Sequence, residues 1–223
     1  MEQRPQRKAP ANRLGRLLTQ ILRHKATELG LHMRRDGFVR VDELLALPNV
    51  QAMGSPTVEQ VRQIVAADEK TRYTLSEDDD VLWIRCNQGH SLKGVDQNHL
   101  LRRISDPDEC PVAVHGTYWK SLGPIVSNGL NRMGRQHIHF LKDSPDLLLA
   151  RHRPTAGIRS SCNVLIFVDV RKAIQEGFHF YVSDNGVILT EGPIASSYFI
   201  KVLELLPGDE TRPISLEEVL GGQ

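Results

Sequence analysis

The chain has 223 residues, of which 40% are hydrophobic and 25% are charged, and its formal net charge is +1. This composition is typical of a globular protein, and it excludes a disordered chain, a collagen-like chain and a disulfide-stapled miniprotein. No run of about 18 apolar residues could form a transmembrane helix. The N-terminus also lacks the apolar segment of a secretory signal. We therefore expect an intracellular protein, in the cytoplasm, the nucleus or both.

The three cysteines, Cys86, Cys110 and Cys162, lie too far apart to form a CxxC pair. An odd number at such spacing is typical of reduced thiols rather than of a disulfide framework. The sequence also lacks the closely spaced cysteines and histidines of a zinc site. It therefore predicts buried thiols and no metal.

Positive charge is concentrated near the N-terminus. The first 40 residues contain ten Lys and Arg against three Asp and Glu, so this segment carries +7 and the remainder carries −6. A basic N-terminal segment on a nearly neutral protein favours an anionic partner, above all nucleic acid or a polyphosphate. A solvated basic tail would give the same charge pattern, so composition alone leaves both interpretations open.

The N-terminal half predicts a helical lobe that ends in a β-hairpin. Residues 1–12 are rich in Arg, Pro and Gln and are predicted to form a flexible basic tail. Apolar residues then recur at helical spacing as far as Leu22, with His24 at the margin of the apolar stripe and Arg23 on the opposite side. Two further helices and a hairpin around an acidic turn follow. This order over residues 13–92 is that of a winged-helix module.

The C-terminal half predicts a lobe dominated by strands. Residues 93–110 are polar and without periodicity, and they are predicted to be a linker. An α+β lobe over residues 111–207 and a C-terminal tail over residues 208–223 follow. Six strands are predicted, at residues 112–115, 137–141, 164–170, 178–182, 186–190 and 198–205. The overall expectation is an α+β protein of two lobes.

Several candidate functional residues are polar side chains in apolar surroundings. The sequence contains none of the GxGxxG, GxxxxGK[ST], GxSxG or HExxH motifs, which removes the main support for several nucleotide-binding and hydrolase classes. Arg23 and His24 interrupt a helical pattern, Arg85 ends an apolar strand, and His115 ends another. Arg159 precedes a further apolar strand. Each residue alone has an ordinary structural interpretation, but together they predict a two-lobed phosphate-binding protein.

A family resemblance extends this interpretation. It is carried in chain order by LRH at residues 22–24, IRCNQGHS at 84–91, VHGT at 114–117, RQHIHF at 135–140, GIRS at 157–160 and SDNGVILT at 183–190. These strings closely resemble the NAD-dependent tRNA 2′-phosphotransferases over about residues 13–205. The string at residues 84–91 is the most specific of them.

The resemblance implies both a fold and a reaction. The fold would combine an N-terminal winged-helix-like RNA lobe with a C-terminal ADP-ribosyltransferase-like NAD lobe. The reaction would remove the internal 2′-phosphate that tRNA ligation leaves at a splice junction. The RNA 2′-phosphate attacks the anomeric carbon of the nicotinamide ribose and expels nicotinamide. The neighbouring 2″-hydroxyl then attacks the phosphorus, which gives RNA with a 2′-hydroxyl and ADP-ribose 1″,2″-cyclic phosphate.

The resemblance also implies a catalytic set, which corresponds here to Arg23, His24, Arg85 and Arg159. The three arginines would bind the transferred phosphate, because guanidinium groups grip phosphate bidentately and stabilise its developing charge. His24 would contact the same phosphate and assist proton transfer. With this much positive charge from arginine, no metal is implied.

The family's NAD motif corresponds to His115, Gly116 and Thr117. The glycine would let the backbone approach the dinucleotide, and the two side chains would hydrogen-bond ribose. His139 is implied to face the nicotinamide side, and Arg132 is implied to contact the diphosphate. The expected ligands are thus NAD and a 2′-phosphorylated RNA, with a monomer as the default assembly.

Other functions stay open at this point. A related NAD-consuming enzyme would use the first step alone to cap nucleic-acid phosphate ends with ADP-ribose. A non-catalytic winged-helix RNA- or DNA-binding protein would have no need of Arg85 and Arg159. Transferases that modify proteins commonly carry a catalytic glutamate on a late strand, and here Glu191 falls just past the corresponding segment 186–190. That position weakens a protein-modifying interpretation.

Overall fold

The structure is a computed structural model that describes residues 10–92, 94–95, 100–142, 155–207 and 210–221. The chain divides into two compact units, Met1–Leu100 and Leu101–Gln223. Each unit combines helices with an antiparallel sheet, in agreement with the predicted α+β class. In the described part of the chain, no helix is both long and apolar enough to cross a membrane.

The first unit contains four α-helices and a three-stranded sheet. Helix α1 continues into a π-helical turn at Ile21–Lys25, and the sheet order is β1-β3-β2. Helix α4 begins with a capping box, in which Thr57 and Gln60 bond each other's backbone N–H. The elements are α1 (Pro10–Gln20), β1 (Val39–Arg40), α2 (Val41–Ala46), α3 (Pro48–Gln51), α4 (Val58–Ala66), β2 (Tyr73–Asp78) and β3 (Val81–Cys86).

The core of the first unit is formed by the apolar stripe of α1 and one face of the sheet. Leu18 and Leu22 are fully buried, as are Ile84 and Cys86 on β3. Because side chains alternate along a strand, the residues between them on β3 point to the other face. Arg85 is therefore on the face opposite the core residues of β3.

The second unit contains an eight-stranded sheet of order β11-β10-β7-β5-β6-β9-β8-β4, in which all neighbouring strands are antiparallel. Strand β7 is apolar from Val164 to Val168, because its alternate residues enter hydrophobic clusters on both faces of the sheet. The elements are β4 (Leu101–Ile104), β5 (Val112–Thr117), α5 (Trp119–Asn128), β6 (Ile138–Lys142), β7 (Val164–Asp169), α6 (Val170–Gln175), β8 (Phe180–Ser183), β9 (Ile188–Thr190), β10 (Phe199–Leu205), β11 (Thr211–Pro213) and α7 (Leu216–Gly221).

The structure differs from the sequence prediction at both ends of the second unit. Residues 101–104, predicted as linker, form the edge strand β4, which pairs with β8. The predicted tail 208–223 contributes β11 and α7, and Leu216 packs against the core. Both strands are short and polar, as edge strands commonly are, so they carry little periodic signal. The predicted basic tail lies largely outside the described residues, and α1 begins at Pro10.

Candidate functional site

The π-helical turn at the end of α1 positions Arg23 and His24. The periodicity of a regular α-helix predicts Arg23 on the side away from the apolar stripe. The residue is half-buried, with its Nε buried. A π turn contains more residues than the 3.6 of an α-helical turn, and it therefore rotates the side chains that follow it. Such turns are common at functional sites.

A loop that follows β3, from Asn87 to Ser91 (the 87–91 loop), passes beside this turn. Its first residue is held in place by buried hydrogen bonds. Asn87 Oδ1 accepts from the Thr74 hydroxyl at 2.6 Å, and Asn87 Nδ2 donates to the Thr71 carbonyl at 2.8 Å. These two hydrogen bonds fix the start of the loop. They use both the oxygen and the N–H of the side chain, which explains why an amide occupies position 87.

Gly89 and Ser91 of the loop contact the two residues on the π turn. Gly89 has a φ of +83°, and a Cβ at this position would lie 3.3 Å from Cζ of Arg23. Ser91 Oγ lies 2.9 Å from Nδ1 of His24, and Ser91 N donates to the Arg23 carbonyl at 2.9 Å. Glycine at position 89 thus meets both a backbone and a space requirement, and Ser91 fixes the orientation of the His24 ring.

Arg85 lies at the start of the same string, and its guanidinium group is held by an aromatic ring. Its Cζ lies 4.7 Å from the centroid of the Phe38 ring, and its Nη1 donates to the Asp36 carbonyl at 3.2 Å. Cation–π contact and a backbone acceptor thus orient the guanidinium group of Arg85.

His90 is buried beside these cations. Only 2% of the residue is exposed. Burial, together with the charges of Arg23, His24 and Arg85, lowers the pKa of His90 to about 3. The imidazole is therefore neutral at physiological pH and adds no positive charge to the group.

The first unit thus concentrates positive charge with few neutralising groups around Arg23. Burial raises the pKa of the neighbouring Cys86 thiol, so this thiol stays neutral despite the charge of Arg23. Within residues 10–92, Arg23 forms no ion pair with a carboxylate. Such an arrangement is suited to binding an anion.

In the second unit, His115 and His139 lie on the adjacent strands β5 and β6. Nδ1 of His115 lies 2.9 Å from the His139 carbonyl, which can only accept, so Nδ1 carries the proton. Burial is the main cause that lowers the pKa of His115, with smaller contributions from the charges of Arg135 and Arg159. The neutral ring then presents Nε2 as an acceptor.

His139 has the opposite tautomer. Nη1 of Arg135 lies 3.4 Å from Nδ1 of His139, and a guanidinium group can only donate. Nδ1 of a neutral His139 therefore accepts, and Nε2 carries the proton. The two histidines thus bond different partners, His115 the backbone of β6 and His139 the side chain of Arg135.

Arg159 is exposed and lies close to Tyr118, a residue that the sequence analysis did not single out. The Tyr118 hydroxyl lies 2.8 Å from Ser161 Oγ. Hydrogen bonds from Ser161 and Arg159 lower the pKa of Tyr118. Tyr118 directly follows Thr117 of the predicted NAD motif, and this adjacency was the only available sequence signal.

The structure adds a packing role for Gly116 to the predicted approach of the backbone to a dinucleotide. A Cβ at this position would lie 2.3 Å from Cγ1 and 2.5 Å from Cδ1 of Ile158. Any larger residue would therefore force Ile158 to move. Thr117 is buried at the end of β5, and Nη1 of Arg132 donates to the Gln136 carbonyl at 3.5 Å.

The predicted residues thus fall into two groups, one in each unit. Arg23, His24 and Arg85 surround the 87–91 loop in the first unit. The second unit holds Arg159 and the five predicted NAD-binding residues, namely His115, Gly116, Thr117, Arg132 and His139. Among the described residues, no cluster of three or more His, Cys, Asp or Glu side chains could hold a metal ion.

The chain is similar to a known protein family over most of its length. A model described as RNA 2′-phosphotransferase, Tpt1 / KptA family, matches residues 9–192. The chain belongs to this family. The match of the RNA 2′-phosphotransferase family includes every predicted site residue, from Arg23 to Arg159, and it extends through parts of both units.

Individual members of the RNA 2′-phosphotransferase family resemble the chain over most of its length. The chain is 42% identical over 203 residues to tRNA 2′-phosphotransferase 1 of Danio rerio. The alignment covers 87% of this chain and 86% of the Danio rerio protein. The chain is 39% identical over 223 residues to tRNA 2′-phosphotransferase 1 of Mus musculus, with 96% and 84% covered. The chain is also 43% identical over 192 residues to a longer protein of Schizosaccharomyces pombe, of which it spans 49%.

Proposed function

We propose that the protein is an NAD-dependent RNA 2′-phosphotransferase that removes the internal splice-junction 2′-phosphate from ligated tRNA. The observation that carries the proposal is the convergence of Arg23, His24 and Arg85 around the 87–91 loop. Family membership supports the phosphotransferase class, and relatives named tRNA 2′-phosphotransferase support tRNA as the substrate. NAD as the phosphate acceptor is part of the proposal.

The transferred phosphate is assigned to Arg23, His24 and Arg85 in the first unit, and Arg159 of the second unit is proposed as a further catalytic residue. A phosphate dianion must be desolvated and stabilised while charge develops at phosphorus, and oriented guanidinium groups supply that stabilisation. Arg85 is held by Phe38, and His24 is oriented by Ser91. This support keeps the groups in position before the substrate binds.

NAD is assigned to the second unit. The acceptor Nε2 of His115 suits a ribose hydroxyl, and His139 is assigned to the nicotinamide side. Thr117 and Arg132 are assigned to ribose and diphosphate. NAD supplies the electrophilic anomeric carbon and nicotinamide as the leaving group.

The reaction proceeds in two steps. A 2′-phosphate oxygen forms a bond to the anomeric carbon as the bond to nicotinamide breaks, and ADP-ribosylated 2′-phospho-RNA results. The ribose 2″-oxygen then bonds phosphorus while the RNA 2′-oxygen leaves. The proton lost from the 2″-hydroxyl balances the one gained by the RNA 2′-oxygen, and His24 assists this transfer. The products are 2′-hydroxyl RNA, nicotinamide and ADP-ribose 1″,2″-cyclic phosphate.

The proposal extends to the two units and to the assembly. The order of helices and the β2–β3 hairpin support a winged-helix-like RNA unit, and the antiparallel sheet that carries His115 supports an ADP-ribosyltransferase-like NAD unit. The protein is proposed to act as a monomer, in the cytoplasm, the nucleus or both, and without a metal.

The test is incubation with a short RNA that carries one internal 2′-phosphate, with and without NAD, followed by mass spectrometry. Loss of the phosphate only with NAD, together with ADP-ribose cyclic phosphate, is expected. An RNA of the same sequence with a 5′-phosphate and no 2′-phosphate is the control substrate. ADP-ribosylation of that 5′-phosphate without removal of any 2′-phosphate would contradict the proposal and favour the end-capping reaction.

Arg159→Ala is expected to lower the rate of 2′-phosphate removal by at least about 100-fold, the usual effect of removing a group that stabilises transition-state charge. Because Arg159 is exposed, its loss should leave the urea midpoint of unfolding unchanged. Arg171→Ala, which removes an exposed arginine on α6, is the matched control and should keep the wild-type rate. Equal rates for Arg159→Ala and the wild type would contradict the assignment.

A further inference from the structure

His90 is the polar side chain whose burial the fold explains least. Within the residues that the structure describes, neither Nδ1 nor Nε2 of His90 has a hydrogen-bond partner, although both atoms are buried. A neutral imidazole has one donor and one acceptor, and leaving both unsatisfied destabilises the folded state. A buried polar group without partners in the free protein indicates a role in binding.

A second buried polar atom without a partner lies on Arg23. Its Nε is buried and has no acceptor in the described part of the chain. The charge of Arg23 is the first of the charges that lower the pKa of His90, so the two side chains are neighbours. Arg23 thus has an N–H without an acceptor beside an imidazole whose two nitrogens have no partner.

The surroundings of His90 restrict where its ring can lie. A Cβ at Gly37 would lie 3.6 Å from Nε2 of His90 and 3.6 Å from Cγ1 of Val95. Gly89, the residue before His90, packs in the same way against Arg23. One side of the ring thus lies against Gly37, the residue before His90 packs against Arg23, and the charge of Arg23 acts on the ring.

We propose that His90 is a positioning residue for Arg23: when a phosphate binds, neutral His90 accepts a hydrogen bond from Nε of Arg23. This bond would direct the two terminal nitrogens of Arg23 toward the phosphate and fix the bidentate geometry. The inference rests on the proposed function for the identity of the phosphate, a 2′-phosphate on RNA. It adds His90 to the residues on which recognition of that phosphate depends.

The neutral state of His90 is essential to this role. A protonated imidazole has two donors and no acceptor, so it could not bond an arginine N–H. It would also place a further positive charge beside Arg23 and Arg85. The low pKa caused by burial and by the three neighbouring cations keeps the acceptor available throughout the physiological pH range.

His90→Phe tests the inference because it keeps a planar ring and removes both nitrogens. Replacing an unsatisfied polar group by an apolar one of similar shape is neutral or stabilising. We therefore expect the urea midpoint of His90→Phe at pH 7 to equal or exceed that of the wild type. We also expect its preference for a 2′-phosphorylated RNA over the same RNA with a 2′-hydroxyl to fall about 10-fold, the value of one lost hydrogen bond near a charge.

Tyr73→Phe is the matched control within the same unit. The Tyr73 hydroxyl contacts Thr19 at 2.5 Å and donates to the Gly15 carbonyl at 2.6 Å, so it is a buried polar group with partners. Its removal should lower the urea midpoint and leave the RNA preference at the wild-type value. The two variants are thus expected to have opposite effects on stability and on recognition.

His90→Asn and His90→Gln complete the design, because their amide oxygens can accept where Nδ1 or Nε2 lies. Recovery of the 2′-phosphate preference by either variant is expected. An unchanged preference in His90→Phe, or no recovery in both amide variants, would overturn the inference. Binding is measured without NAD, so a wild type that prefers 2′-phosphorylated RNA and yet never transfers the phosphate would contradict the proposed function alone.

Discussion

At the level of single residues, the contact between Ser91 and His24 links the two strings that carry the family resemblance in the first unit. Ser91 Oγ lies 2.9 Å from Nδ1 of His24, across 67 positions of sequence. A histidine that contacts a phosphate or moves a proton must present one particular nitrogen. Because Ser91 engages Nδ1, it fixes the orientation of the ring that the proposal places at the transferred phosphate.

Ser91→Ala is therefore expected to lower the rate of 2′-phosphate removal about 3- to 10-fold, in line with the loss of one neutral hydrogen bond. The measurement is single-turnover kinetics at saturating NAD and RNA. The double variant Ser91→Ala, His24→Ala should be no slower than His24→Ala alone, since Ser91 acts through His24. An additive loss in the double variant would show that Ser91 acts by another route.

The protonation of His90 predicts how stability depends on pH. Its pKa is about 3 in the folded protein and 6.5 when unperturbed, so the unfolded chain takes up a proton that the folded chain does not. Stability from this group is complete above about pH 6.5 and is lost as the pH falls toward 3. The expected slope is about 1.4 kcal/mol of unfolding free energy per pH unit.

His90→Phe cannot take up this proton and should unfold with a weaker pH dependence. Urea titrations of both proteins at pH 7, 6 and 5 measure the difference in slope. The variant should keep some dependence, because burial also lowers the pKa of His115 and His137. Parallel slopes for wild type and variant would contradict the assigned protonation of His90.

At the level of elements, strands β5 and β7 and the segment around Ile158 define why Gly116 is a glycine. The strand pair places Gly116 opposite Leu165, and Ile158 fills the space where a side chain at position 116 would lie. Overpacking of this kind typically costs about 1–3 kcal/mol. Gly116→Ala is therefore expected to lower stability by about that amount, measured as the urea midpoint.

A second substitution separates packing from dinucleotide binding. Ile158→Ala removes the side chain that a Cβ at Gly116 would meet, so the double variant should recover most of the stability lost by Gly116→Ala. If packing is the reason for the glycine, the KM for NAD should recover with stability. A stable double variant with a persistently high KM for NAD would instead support direct approach of the dinucleotide to this backbone.

The elements show how far local sequence pattern predicts this fold. The six strands from β5 to β10 follow from apolar runs, because a buried strand needs apolar residues at fixed spacing. Edge strands β4 and β11 lack that signal. The π turn at Ile21–Lys25 was not predicted because helical periodicity assumes 3.6 residues per turn.

Contacts within the site were less predictable than the identity of its residues. The strings that resemble the family contain Asn87, Gly89, His90 and Ser91, but their sequence does not reveal what each residue touches. Asn87 holds the loop and Ser91 contacts His24 through long-range packing of the first unit. Tyr118 was missed for the same reason, since its contact with Ser161 joins residues 43 positions apart.

At the level of the whole molecule, the basic charge of the N-terminal segment is only partly available to a partner. Arg34 pairs with Asp36 at 2.8 Å, and Arg40 pairs with Asp42 at 2.5 Å. The excess of +7 over residues 1–40 already counts Asp36 but not Asp42, and both arginines are engaged within the protein. Affinity for RNA should therefore depend more on the specific phosphate than on bulk charge.

The assignment of NAD to His115 in the second unit and of the RNA 2′-phosphate to Arg23 in the first predicts separable kinetic effects for these two residues. His115→Ala removes the Nε2 acceptor in the second unit, and it is expected to raise the KM for NAD about 10-fold. The dissociation constant for 2′-phosphorylated RNA, measured by fluorescence anisotropy without NAD, should change less than about twofold. Arg23→Ala, in the first unit, should weaken RNA binding and leave the KM for NAD near the wild-type value. Equal losses of NAD and RNA affinity in His115→Ala would mean that the second unit is not dedicated to NAD. RNA binding is measured without NAD, so a residue that contacts only the dinucleotide could not weaken it.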